Sequence, residues 1–521
     1  MGVLYGRGVA SEESMTIMGA GLAAFGASVA VIDRDGSQTY AELDVASDAV
    51  AGALIDTGVV PGAVIANICP AGRWWLAGSF GVWRAAGVLL PLESSHPPAE
   101  LRHPVTDSAV THVLFTSETR ELAEQLSAFT NAQLIDVREA VAATAGASVT
   151  PKPLPAPIDD VDDADDADAM IVYTSGTTGL PKGVVHTHRS LAAQCGAMID
   201  AWGWVPSDRI VGVLPLHHVH GLVNITFTAL SAGATLETPG GFDAVATWER
   251  LASGEVTLFM AVPTIYARLV RAWNEADEST RSRWSKGVAQ LRLMVSGSAA
   301  LPVSTLDQWR DISGQVLLER YGMTELGMAL GNTLTRRIPG HVGWPFPGVE
   351  VRIVDESGED VVDGAVGELL VRGAQVFDRY LNRPEATADS FVDGWFRTGD
   401  VAQSTADGYR LLGRASVDII KSGGEKVSAL EIEEVFRTHP LVGDCAVVGL
   451  PDDEWGERVA LAWISDEALS SVPEPTDVEF RSWGKERLAP AKVPFRFRRV
   501  ESLPRNPMGK VTKSAVKELF D

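Results

Sequence analysis

Hydrophobic and polar positions along this chain switch repeatedly between strand and helix periods. Apolar or β-branched runs at Val29 to Ile32 and Gln38 to Tyr40 flank Asp33-Arg-Asp-Gly36, a hairpin signal. Thr39-Tyr-Ala-Glu42 reads as a capping box. The helix behind it places Leu43, Ala46, Val50 and Leu54 on one face and stops at Gly58. A strand at Val64 to Ile68, a Trp-rich helix at Arg73 to Ala86, a strand at Val88 to Leu90, a further helix and a strand at Val113 to Phe115 follow. Such alternation predicts parallel strands covered by helices.

Between Pro151 and Asp168 the pattern breaks into a Pro-rich piece and seven aspartates in ten residues. Like charges repel, so this reads as a solvated linker between a first α/β layer and a second that starts after it. A calcium loop would need the Gly and Glu positions of an EF-hand, which are missing. In the second layer, strands are expected at Ile210 to Val213, Thr257 to Ala261, Leu293 to Ser296 and Val316 to Leu318. Helices are expected at Ser190 to Trp202, Phe242 to Ala252, Pro263 to Glu275 and Val303 to Ile312, with Pro263 and Pro302 in first turns. From Val349 the pattern turns β-rich, with strands at Val349 to Val354, Gly367 to Val371 and Tyr409 to Leu412. A smaller α+β unit closes the chain. The expected fold class is α/β: a large N-terminal domain over 1–413, with doubly wound layers and a β-rich subdomain, and a small mobile α+β domain over 414–521.

A length of 521 residues exceeds one hydrophobic core, in keeping with that division. The formal charge of −24 argues against nucleic acid or an anionic membrane as main partner, but a local cluster of donors can still bind a small anion. Cys69, Cys195 and Cys445 are far apart and match no metal spacing, so they read as reduced thiols of a cytoplasmic protein. Met15 to Ile32 is uncharged but Gly- and Ala-rich, without a basic flank. It reads as a buried helix entering a strand, neither a membrane span nor a signal, and no basic transit peptide is visible.

Candidate chemistry centres on Met170-Ile-Val-Tyr173, which opens into Thr174-Ser-Gly-Thr-Thr-Gly-Leu-Pro-Lys-Gly183. Glycines let backbone amides approach a ligand, and hydroxyls and a lysine add donors without a carboxylate among them, which suits phosphate oxygens. Walker A spacing does not fit, because Gly183 follows Lys182. In Glu319-Arg-Tyr-Gly-Met-Thr-Glu325 a hydroxyl and a carboxylate stand side by side, apt for phosphate and Mg²⁺. Asp400, ending Gly394-Trp-Phe-Arg-Thr-Gly-Asp, could accept protons from both ribose hydroxyls.

Tyr173 to Lys182 resembles the phosphate loop of the adenylate-forming superfamily of acyl-CoA synthetases, luciferases and peptide-synthetase adenylation domains. Its companion motifs follow in the family's order, from about Gln38 to Lys513. The resemblance implies ATP, Mg²⁺ and coenzyme A. It gives Thr174, Ser175, Gly176, Thr177, Thr178, Gly179 and Lys182 to the phosphates. Thr324 goes to the α-phosphate, Glu325 to the metal, Tyr321 and Gly322 to the adenine side, with Glu319, Arg320 and Met323 beside them. Asp400 and Arg414 would hold the ribose. Lys510, in Leu503-Pro-Arg-Asn-Pro-Met-Gly-Lys, would bring a cation to the adenylation transition state. After rotation about Ser416, the segment Lys421, Ser422, Gly423 and Gly424 would line the thiol tunnel; Glu425 departs from the aromatic common in close relatives.

Pro215-Leu-His-His-Val-His-Gly221, Phe259 to Arg268 and Arg292 to Ala300 together resemble the malonyl-CoA synthetase branch. Malonate's second carboxylate needs a buried cation, for which the resemblance offers Arg268, assisted by His220 and Ser296. Methylmalonate would fit the same reasoning. A monocarboxylate acyl-CoA synthetase and an enzyme that loads a carrier protein share the nucleotide motifs and stay open. A catalytically silent nucleotide-binding protein sits poorly with intact Lys182, Glu325, Asp400 and Lys510.

Overall fold

A computed structural model describes residues 20–144, 166–174, 180–415, 417–422, 425–452, 455–465, 474–505 and 511–520. It is a mixed α/β structure with a large N-terminal and a smaller C-terminal domain. Two large sheets carry the first. The seven-stranded sheet has five parallel strands, Asp168–Thr174, Val88–Pro91, Val64–Asn67, His112–Phe115 and Gln133–Asp136. Lys182–Thr187 and Arg379–Tyr380 extend it antiparallel at one edge. The nine-stranded sheet has a parallel centre running Leu318–Met323, Leu293–Ser296, Leu258–Ala261, Arg209–Val211, Thr235–Glu237 and Val29–Asp33.

Local chemistry behaves as the sequence indicates. The hairpin closes with Asp33 opposite Gly36. Thr39 and Glu42 form a reciprocal capping box on the helix Tyr40–Asp56, whose Leu43, Ala46, Val50 and Leu54 are buried. Pro263 opens the helix Pro263–Glu275, whereas Pro302 is the N-cap of Val303–Ser313, one position earlier than expected.

The grouping of strands departs from the expectation of two consecutive layers. Val29–Asp33 crosses to the nine-stranded sheet, pairing Val31 with Leu236. Asp168–Thr174, the strand that leads into the segment expected to hold phosphate, joins the first sheet with Met170 opposite Leu89. A β-branched run buried on both faces is satisfied in either sheet, so its partner is chosen by tertiary packing. The acidic run is also not wholly solvated: Asp166 pairs with Arg189, and Asp168 takes both Nη atoms of Arg379 at 2.7 and 2.9 Å.

An aromatic cluster joins the two sheets. Trp83 of the helix Arg73–Arg84 packs 4.9 Å from Phe227, the last residue of the π-helical segment His220–Phe227. That contact fixes the segment His220 begins. In the small domain, Glu433 of the helix Ala429–Arg437 forms a buried ion pair with Lys513, which also donates to Val447 O at 2.8 Å. Glu434 of that helix accepts from Val303 N at 3.3 Å, a contact between the domains. All three cysteines are free and buried. Among the described residues no helix is long and apolar enough to cross a membrane.

Candidate active site

The strand Asp168–Thr174 and the returning Lys182–Thr187 bracket the phosphate loop, with Thr174 opposite Lys182. Ser175, Gly176, Thr177, Thr178 and Gly179 lie outside the described residues, as do Ser416, Gly423, Gly424 and Lys510. Lys182 Nζ sits 4.2 Å from the centroid of the Tyr380 ring.

The hairpin Leu318–Met323 and Gly327–Gly331 carries Glu319, Arg320, Tyr321, Gly322 and Met323, with Thr324 and Glu325 in its turn. A Cβ on Gly322 would stand 2.0 Å from Gly327 O, so only glycine lets this turn close. Two bonds bolt the turn to its neighbours. His186 Nε2 meets Thr324 O at 2.9 Å, and Phe377 N donates to Glu325 O at 2.7 Å. Burial pushes His186 down to about 4, so it is a neutral imidazole whose Nε2–H donates.

Glu325 is buried, and desolvation raises its carboxyl above the usual range although Tyr380 OH donates to Oε1 at 2.9 Å. A lone carboxylate of this kind fits Mg²⁺ held mainly by phosphate oxygens. Among the described residues no group of three or more His, Cys, Asp or Glu could hold a metal unaided.

Asp400 stands opposite Arg414 on adjacent strands. Its Oδ2 accepts from Tyr321 OH at 2.6 Å and its Oδ1 from Arg414 Nε at 3.1 Å. The arginine and the tyrosine expected at the nucleoside therefore both contact the acid.

A second cluster lies behind the hairpin. Arg320 is 5% exposed, and burial pushes its guanidinium down to about 9. Its Nη2 donates to Ser298 Oγ at 3.2 Å, and Ser298 Oγ lies 3.1 Å from His220 Nδ1. Because Ser298 Oγ accepts from arginine, its own proton can go to Nδ1, which leaves the His220 proton on Nε2. His220 is held neutral, well below its ordinary value, by burial and then by the charge of Arg320. Two buried atoms here have no hydrogen-bond partner among the described residues, Arg320 Nε and His220 Nε2; Ser296 Oγ has none either, but Ser296 stands opposite Glu319, on the other face of the sheet from Arg320. Gly297 makes the room, since a Cβ there would stand 2.3 Å from Arg320 Nε. Ser298 sits at φ 68°, a strained value for serine that aims its hydroxyl between arginine and imidazole.

Sequence reasoning had placed Arg320 beside the nucleotide and had not singled out Ser298, although the spacing Ser296-Gly-Ser298 was available as a signal. Arg268, by contrast, lies on the exposed side of its helix with its guanidinium 4.7 Å from the Phe242 ring centroid. The described contacts do not join it to His220 or Ser296. On the small domain, Lys421 is exposed and Ser422 buried, on the strand Ile419–Ser422.

Comparison with known proteins fits this geometry. Residues 21–381 match the family described as AMP-binding enzyme, and residues 431–510 match the AMP-binding enzyme C-terminal domain. The mitochondrial malonate–CoA ligase ACSF3 of Mus musculus is 41% identical over 530 residues, covering 95% of this chain and 89% of the relative. The malonate–CoA ligase of Arabidopsis thaliana is 39% identical, covering 89% of this chain and 79% of the relative. The crystal structure of ATP-bound MatB from Rhodopseudomonas palustris superposes with a TM-score of 0.84 at 30% identity, covering 96% of this chain and 99% of MatB. With residues 21–381 and 431–510 matched, the chain belongs to the AMP-binding enzyme family, the adenylate-forming superfamily that its motifs resemble.

Proposed function

We propose that this protein is an ATP-dependent malonyl-CoA synthetase. One malonate carboxylate attacks the α-phosphorus of ATP, forming malonyl-adenylate and releasing pyrophosphate. The thiolate of coenzyme A then attacks the acyl carbon, and AMP leaves. Substrates are small molecules throughout: malonate or methylmalonate, ATP and coenzyme A. Names and identity of the malonate–CoA ligase relatives support the reaction.

The observation that carries the choice of acid is the buried Arg320, which has no acidic partner among the described residues. An uncompensated charge in a desolvated site is costly, and an anion entering beside it relieves that cost. Arg320 Nε and His220 Nε2–H supply unused donors for the carboxylate that does not react. An acid with an uncharged tail would leave the guanidinium unpaired, which disfavours the monocarboxylate alternative. We assign Arg320 the role that the sequence had offered to Arg268 and keep His220 in its own, whereas Ser296, opposite Glu319, faces away from this pair. Arg268 becomes a residue of the exposed helix face.

For the nucleotide we propose the phosphate loop and Lys182 on the phosphates, Thr324 at the α-phosphate, Asp400 and Arg414 at the ribose, and Lys510 at the adenylation transition state. Glu325 would hold Mg²⁺, which when bound would supply positive charge to neutralise the triphosphate. The small domain would turn about Ser416 between half-reactions and bring Lys421 to Gly424 to the thiol.

Pyrophosphate exchange across acetate, malonate, methylmalonate, succinate and a long-chain acid, with and without coenzyme A, tests the reading. Malonate or methylmalonate should be preferred, with thioester formed on free coenzyme A. Preference for an uncharged-tail acid would overturn it.

A further inference from the structure

Tyr380 lies between the cation of the phosphate loop and the acid assigned to the metal, and it has no role in the reaction described so far. It is 5% exposed and stands opposite Val184 on the strand Arg379–Tyr380, at the edge of the phosphate-loop sheet. Its ring receives Lys182 Nζ at 4.2 Å, and its hydroxyl donates to Glu325 Oε1 at 2.9 Å. The backbone on either side makes the same two connections. Phe377 N donates to Glu325 O at 2.7 Å, and Leu381 N donates to Gly183 O at 2.8 Å. The Asp168–Arg379 pair and the Tyr380 N to Thr387 Oγ1 bond at 3.0 Å hold the strand in place.

We propose that Tyr380 is a positioning residue for adenylation, one that holds Lys182 and Glu325 at a fixed separation so that both address one triphosphate. This rests on the reading that Lys182 meets phosphate and Glu325 meets Mg²⁺. A cation over an aromatic face is attracted by the ring quadrupole. A phenol donating to Oε1 fixes the carboxylate plane and leaves Oε2 for the metal. Reacting groups displaced by about 1 Å can lose roughly a hundredfold in rate, so registration of this kind bears directly on the chemical step.

The two contacts separate by substitution in the full-length protein. Tyr380→Phe keeps the ring and removes the hydroxyl, Tyr380→Leu removes both, and Glu325→Gln tests the underlying reading. Mn²⁺ binding in the presence of ATP, read by electron paramagnetic resonance, accompanies Mg²⁺ titrations of pyrophosphate exchange, thioester formation from supplied malonyl-adenylate, and ATP binding without metal. Tyr380→Phe should weaken Mn²⁺ binding and raise the Mg²⁺ requirement by about tenfold, the scale of one charge-assisted hydrogen bond, with thioester formation unchanged. Tyr380→Leu should additionally weaken metal-free ATP binding. If Tyr380→Phe binds Mn²⁺ like the parent while Glu325→Gln does not, the positioning role is overturned and the metal assignment stands. If Glu325→Gln leaves Mn²⁺ binding intact, the metal assignment falls first and takes the positioning role with it. Equal loss of both half-reactions with a lowered melting temperature in Tyr380→Phe would make the residue structural and overturn the proposal.

Discussion

Arg320 Nη2 donates to Ser298 Oγ at 3.2 Å and has no carboxylate among its described contacts, so this interior cation is partnered by a neutral hydroxyl. A guanidinium in that state favours an anionic guest. Arg320→Met should raise the KM for malonate by about ten- to a hundredfold, the loss of one or two charged hydrogen bonds, while ATP binding measured by calorimetry stays within about twofold. Arg268→Ala, made on the exposed helix face, should change malonate KM far less. The reverse order would return the cation's role to Arg268.

Gly297 offers an independent check on the same pocket. A methyl at residue 297 would stand 2.3 Å from Arg320 Nε and 2.5 Å from its Cζ, which forces the guanidinium to move. Gly297→Ala should reproduce the malonate defect of Arg320→Met with the arginine still present. Unaltered malonate saturation in steady-state assays would mean the guanidinium has no fixed place in recognition.

Lys510 is assigned to adenylation alone. Lys510→Ala should abolish malonate-dependent pyrophosphate exchange while thioester formation from supplied malonyl-adenylate continues at near-parent rate. Equal loss in the two assays would remove that assignment.

Glu319 carries a pH signature. Burial pushes its carboxyl up to about 7, although Gly340 N donates to Oε1 at 2.7 Å, and Glu434 adds like charge from the small domain. The folded state therefore holds a proton that the unfolded chain releases near the ordinary glutamate value of about 4.3. The stability from this group is fully present below the unfolded value and is lost as pH rises through 7. The melting temperature of Glu319→Gln, relative to the parent, should rise progressively between pH 5 and 8. A constant difference across that range would show that Glu319 does not titrate there.

Much of the machinery was legible in the sequence because it depends on neighbours along the chain. The Thr39–Glu42 capping box, the Asp33-to-Gly36 hairpin and the Pro263 helix start need only local geometry and formed as read. The nucleotide motifs were legible for a related reason: each is a short string in which residue type and backbone freedom together define a donor set. The surroundings of Arg320 are harder to read, because its string also carries Tyr321 and Thr324, while a strand alternates its side chains between two faces. Tyr321 reaches Asp400, whereas Arg320 turns the other way, toward Ser298.

By itself the sequence determined the alternation of strands and helices, the superfamily and the set of groups available for adenylation. Only the tertiary structure decided that the strand Asp168–Thr174 lies beside Val88–Pro91, that Val29–Asp33 crosses to the other sheet, and that Arg320 is buried beside Ser298. The reason is physical. A residue's own propensity and spacing fix its local conformation, but desolvation and partnering are properties of the surfaces that close around it.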